Sequence, residues 1–181
     1  MSYKGWHSRG YLPHFDSAET VQFVTVRLAD SLPRTVAEEL SKLPDNLAET
    51  DHRLDDGWGR CWLKEPAIAQ LVEDTILHFD ARRYCLLAWC IMPNRMHVVV
   101  EPAGGHRIGA IVHSWKSFSA KQANRILDRS GAFWHRDYFD RFIRDEGHLM
   151  RTIDYVENNP VKAGLAGSAA AWPWSSGRLR G

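Results

Sequence analysis

Tyr84-Cys-Leu-Leu-Ala-Trp-Cys-Ile-Met-Pro-Asn-Arg-Met-His-Val-Val-Val-Glu101 is the stretch that decides the fold. Two almost wholly apolar runs, 84–92 and 96–101, flank Pro93-Asn94, a pair that favours a tight turn. Runs of this length suit strands, and the turn between them predicts an antiparallel pair. Because polar residues barely interrupt either run, both strands are expected at the centre of a sheet.

The neighbouring segments alternate in character. Upstream, Glu65–Phe79 carries Ile68, Leu71, Val72, Ile76 and Phe79 at helical spacing behind Pro66, which suits a first helical turn. Before it, Val21–Leu28 is rich in β-branched and aromatic residues and reads as the first strand. Between them, 33–60 holds a short helical candidate at Val36–Leu40 and a polar stretch, Asp45–Arg60, that reads as a peripheral loop. Downstream, Gly104-Gly105 closes the second strand of the pair, and Ile108–Leu127 is helical. A further strand is expected within Phe133–Ile143, and a last helix from Asp145-Glu146 to Pro160, where the missing N–H should end it.

Strand, helix, strand, strand, helix, strand is the order of a ferredoxin-like split β-α-β unit. The expected class is α+β, an antiparallel sheet packed against helices, with an additional C-terminal helix. One domain over 1–181 is expected, with an N-terminal arm at 1–18, the insertion near 33–60 and a tail at 166–181.

No run approaches the length of a membrane span, and the first residues hold no apolar signal core, so a soluble, cytoplasmic protein is expected. Cys61, Cys85 and Cys90 have neither metal-knuckle nor redox spacing and are expected as reduced, mostly buried thiols. Net charge is only +1, but residues 38–80 are acidic and 105–129 basic. The basic stretch suits either a phosphate-tracking face or a solvated amphipathic helix.

Four side chains of the last helix, His148, Thr152, Tyr155 and Asn159, fall on one stripe beside the apolar Leu149, Ile153 and Val156. In the second strand of the pair, Arg95 and His97 point to one face and Met96 to the other. A tyrosine near a helix end ordinarily packs with one hydroxyl hydrogen bond, and a lone strand histidine is ordinarily structural. His106, His113, His135 and His148 could join a ligand sphere only if folding delivers them.

Read together, the segments resemble the single-tyrosine transposases of the His-hydrophobe-His nuclease superfamily, specifically the REP-associated tyrosine transposases that act on palindromic repeats. The resemblance rests on Tyr11–Asp16, the first strand, Ala88–His97, Trp115-Lys-Ser117, Phe133–Arg141, Arg144-Asp-Glu146, Asp154–Gly164 and Trp174-Ser-Ser. It implies that Tyr155 is the nucleophile, His97 the second histidine of a metal pair and Asn159 a third, polar ligand of Mg²⁺ or Mn²⁺. It also implies single-stranded DNA hairpin binding, and cleavage through a 5′-phosphotyrosine that frees a 3′-hydroxyl. Monomers and homodimers both occur among such relatives, and no obligate protein partner is implied.

Arg95 stands where the resemblance calls for the first metal histidine. Arginine stays protonated and offers no lone pair. Three readings follow: an inactive relative that keeps hairpin binding, an alteration that traps a substrate complex, or a guanidinium that itself pairs with the scissile phosphate. Candidate DNA contacts are Lys4, Trp6 and Arg9 in the arm, and Lys116, Lys121, Arg125, Arg136, Arg141 and Arg144 beyond the central strands. Trp115 and Trp134 are either base-stacking platforms or core.

Overall fold

The computed structural model describes residues 5–8, 13–16, 20–43 and 47–180, the first two segments by their backbone. In chain order the strands and α-helices are β1 (Gly5–Ser8), β2 (Pro13–Asp16), β3 (Gln22–Arg27), α1 (Arg34–Leu40), α2 (Leu47–Asp55) and α3 (Pro66–Leu77). Then come β4 (Tyr84–Met92), β5 (Arg95–Pro102), α4 (Ile108–Ile126), β6 (Phe139–Phe142), α5 (Glu146–Glu157) and α6 (Asn159–Lys162). Within the expected arm, β1 and β2 pair antiparallel, Gly5 opposite Asp16.

The main sheet runs β4-β5-β3-β6 with every pairing antiparallel, the ferredoxin-like order. β4 and β5 are joined by the Pro93-Asn94 turn, and both are buried over most of their length, as their apolar composition requires. β5 sits between β4 and β3, and α3 opens with Pro66 in its first turn.

Alternation along the strands sorts the side chains into two layers. Val24, Val26, Met96, Val98 and Val100 point into a core closed by α3 and α4, where Trp115 and Trp134 are also buried. Trp115 Nε1 donates to Tyr84 Oη and Trp134 Nε1 to the Ser119 hydroxyl, so both tryptophans are core. Phe23, Ala88, Cys90, Met92 and Val99 point the other way, onto α5 through Val156. Each fully buried aliphatic side chain contributes roughly 1.5–3 kcal/mol.

Residues beyond α6 cover the free edge of β4. Ile91 N–H donates to the Trp174 carbonyl at 2.8 Å, Trp172 Nε1 to the Ile91 carbonyl at 2.9 Å and Trp89 N–H to the Ser176 hydroxyl at 3.0 Å. Arg178 pairs with buried Glu73, and Arg180 with Glu157, two residues beyond Tyr155. An edge strand that would otherwise offer unpaired backbone groups is thereby closed.

Three local readings differ from the sequence expectation. Of the two strands expected at the centre only β5 is central; β4 is the edge strand, and its apolar run is buried because the segment after α6 closes that edge. The stretch expected as a peripheral loop contains α2, which meets the α5 face of the sheet through Leu47 and Asp51. The chain also does not stop at Pro160: α5 gives way at Asn158, and α6 takes Pro160 into its own first turn, where no N–H is needed. Among the described residues no helix is long and apolar enough to cross a membrane.

Candidate active site

His97 lies mid-sheet on β5, between Thr25 of β3 and Cys90 of β4 in the pairing register. It is fully buried, and its ring stacks on Phe23 at 5.7 Å between centroids. Tyr155 reaches the same face from α5, its ring centroid 6.0 Å from that of His97. α5 is started by Asp145, whose carboxylate accepts from the His148 N–H at 2.7 Å. The apolar stripe through Val156 docks the helix and leaves Tyr155 half-buried at the sheet.

Arg95, two residues before His97 and on the same face, is only 1% exposed. Its Nε donates to His97 Nε2 at 3.0 Å, and its remaining nitrogens donate to Asn94 at 3.2 Å, Asp55 at 2.6 Å and Asn159 Oδ1 at 2.8 Å. Since a guanidinium can only donate, His97 Nε2 is an acceptor. The other ring nitrogen, 2.8 Å from the Thr25 hydroxyl, therefore carries the proton. Burial, reinforced by the Arg95 charge, holds the His97 pKa well below the usual histidine range.

A divalent ion needs free lone pairs. Those of His97 Nε2 and Asn159 Oδ1, the two expected ligand atoms, are both turned onto Arg95. Nor do three or more His, Cys, Asp or Glu side chains converge on a metal-holding arrangement among the described residues. The donor set does not fit the expected Mg²⁺ or Mn²⁺: the guanidinium stands at the point where the ligands would meet.

The carboxylates around Arg95 come from α2, which the sequence reading left outside the site. Asp51 and Asp55, one turn apart, face the guanidinium together. Asp51 is 5% exposed, and Tyr155 Oη donates to its Oδ2. Its Oδ1 lies 3.2 Å from Arg95 Nε but off that N–H, which is aimed at His97, so the contact is an ion pair rather than a hydrogen bond. Burial pushes the Asp51 carboxyl up to about 7 against the pull of Arg95, and neighbouring Asp55 adds to the rise. Asn94 Nδ2 holds the end of α2 through the Leu54 carbonyl at 2.7 Å. From α6, exposed Lys162 places its ammonium 4.7 Å from the Tyr155 ring centroid. Two acidic residues at i, i+4 spacing were the available signal for α2. The short apolar content of that segment concealed it.

The structure brings Tyr155, His97, Arg95 and Asn159 into one cluster; Thr152 instead caps the His148 carbonyl within α5. Arg141 shares the α5 face of β6 with Phe139, over whose ring it stacks at 5.5 Å, and exposed Arg144 follows the strand. Lys121 and Arg125 are exposed on α4, in the opposite layer from Tyr155. Lys116 is half-buried and donates to the carbonyl of exposed Arg136 at 2.8 Å. Lys4 and Arg9 lie outside the described residues, as does the side chain of Trp6. Cys61 and Cys90 are buried thiols, whereas Cys85 is exposed.

Tyr155 of α5 thus lies against His97 of the central strand β5, on a ferredoxin-like sheet. The family described as Transposase IS200 like matches residues 64–159, more than half of the chain, and the chain belongs to that family. It is 28% identical over 100 residues to a candidate REP-associated tyrosine transposase of Haemophilus influenzae, over 50% of this chain and 57% of that protein. An uncharacterised protein of the same organism is 30% identical over 77 residues, 40% of this chain and 41% of its own. These matches span about half the length of the relatives. A solved REP-associated tyrosine transposase bound to a REP hairpin shares the fold, with TM-score 0.59 and 16% identity over 90% of this chain and 79% of that one.

Proposed function

We propose that this protein binds single-stranded DNA hairpins of the REP-like palindromic class and cuts and rejoins a strand beside them through Tyr155. The observation that carries the reading is the placement of the Tyr155 hydroxyl on the histidine face of the sheet, hydrogen-bonded to a carboxylate. Family membership and the hairpin-bound relative of the same fold support the DNA partner.

A tyrosine has an ordinary pKa of about 10 and needs help to lose its proton before it attacks phosphorus. Its ester with a 5′-phosphate stores the energy of the broken bond, so a 3′-hydroxyl can reverse the step and join ends. Arg141, on the tyrosine face of β6, would follow the strand toward Tyr155, and Arg144, stacked over Phe142 of the opposite face, would meet the DNA beyond the sheet edge. Lys116, Lys121, Arg125 and Arg136 would serve the more distant stem, together with Lys4, Trp6 and Arg9 of the arm. The Mg²⁺ or Mn²⁺ implied by the resemblance finds no fitting donor set among the described residues. A second reading, a hairpin binder without cleavage, is favoured by one fact: every nitrogen of Arg95 already has a protein partner.

The test uses fluorescent single-stranded hairpins with randomised flanks, selected for binding by gel shift. The expected result is a slower band on a denaturing gel, a protein–DNA adduct that Tyr155→Phe abolishes while the native shift remains. A shift without adduct supports the binder; no preference for hairpins over unstructured strands removes the DNA-hairpin reading.

A further inference from the structure

Resting on the strand-transfer reading above, we propose that Asp51 is the proton acceptor for Tyr155, and that Arg95 replaces a divalent ion so that the reaction proceeds without one. Three observations point the same way. The Tyr155 hydroxyl donates to Asp51 Oδ2, so the acceptor for its proton is already in place. Arg95 Nε stands 3.2 Å from Asp51 Oδ1 and stabilises the carboxylate in the form that can take a proton. The same guanidinium holds His97 and Asn159, the side chains that would otherwise ligate an ion, so its fixed positive charge sits where an ion's charge would be.

The residues divide the work. Asp51 touches the reacting oxygen and is catalytic. Arg95 acts through Asp51 and is a positioning residue, itself fixed by Asp55, Asn94 and His97. Lys162, exposed above the Tyr155 ring, is placed to meet an incoming phosphate from the solvent side. In the step, Tyr155 Oη passes its proton to Asp51 Oδ2 and its electron pair forms the bond to phosphorus. The bond from phosphorus to the 3′ oxygen breaks, and that oxygen keeps the pair. It takes up the proton that Asp51 returns through solvent water, so one phosphate diester is exchanged for another with no redox change. In the reverse direction, Asp51 deprotonates the attacking 3′-hydroxyl by the same water route and returns the proton to Tyr155.

The experiment measures the rate of adduct formation on the selected hairpin, with Mn²⁺ and with EDTA. Rates within about twofold of each other are expected, and Asp51→Asn should slow the adduct at least about 100-fold, the usual scale of a lost general base. Asp51→Asn is checked for a cooperative melt and for the hairpin shift. It is then paired with a ring-fluorinated, more acidic tyrosine incorporated at position 155. Recovery of the adduct by the acidic phenol identifies a proton-transfer defect rather than a folding one. Arg95→His, which restores a ligating side chain, is expected to make the reaction depend on Mn²⁺. An adduct that requires Mn²⁺ in the wild type, or one that forms at wild-type rate in Asp51→Asn, overturns the inference and leaves the strand-transfer reading standing. A hairpin shift with no adduct under any condition overturns both.

Discussion

At the scale of single residues, the site is governed by charges withdrawn from water. Arg95 is enclosed by two carboxylates, a neutral imidazole and two amides; Asp55, His97, Asn94 and Asn159 accept its hydrogen bonds and Asp51 pairs with its charge. Removing one partner of such a buried pair leaves the other stranded, at a cost of about 3–5 kcal/mol. Arg95→Met is therefore expected to lower unfolding free energy by that order, read from the urea midpoint at unchanged slope. Asp51 supplies a pH test. Its carboxyl is held near 7 in the folded protein and returns to the ordinary range near 4 when unfolded. The stability linked to this proton is fully present below about pH 4 and is lost as pH rises through about 7. Melting temperatures at pH 5 and pH 8 check it: wild type should lose ground relative to Asp51→Asn between the two.

At the scale of elements, legibility followed local composition. The β4–turn–β5 pair, α3, α4 and α5 were readable because each carries its own apolar pattern. α2 was not: its burial rests on Leu54, and what fixes it is tertiary, the grip of Asp51 and Asp55 on Arg95 and of Asn94 on the Leu54 carbonyl. Nothing in a nine-residue mixture of acids, bases and small residues announces that its charges meet an arginine forty positions away. Tyr155, His97, Arg95 and Asn159 were readable as candidates, while their mutual arrangement, and Lys162 on α6, needed the fold. The use of Arg178 and Arg180, in the segment after α6, on buried Glu73 and Glu157 had no sequence signal. Arg178→Met should cost about 2 kcal/mol in urea unfolding. That is less than for a fully enclosed pair because the arginine is a third exposed and Trp89 still donates to Glu73.

At the scale of the whole molecule, two layers flank one sheet, and the thiols report on whether that arrangement is intact. A thiol-selective reagent is expected to label Cys85 in the native protein, while Cys61 and Cys90 react only at the rate of opening. Burial pushes the Cys90 thiol far above its usual value, which further silences it. The sheet order has a kinetic consequence. Thr25 finds its partner His97 across 72 positions, so the first long strand can be seated only after the later hairpin exists. Folding is therefore expected to nucleate at the Pro93-Asn94 turn, where β4 and β5 pair across the shortest loop. Truncations of valine side chains in β5 should slow refolding after a stopped-flow denaturant jump, whereas equivalent truncations at the α5 docking face should chiefly hasten unfolding.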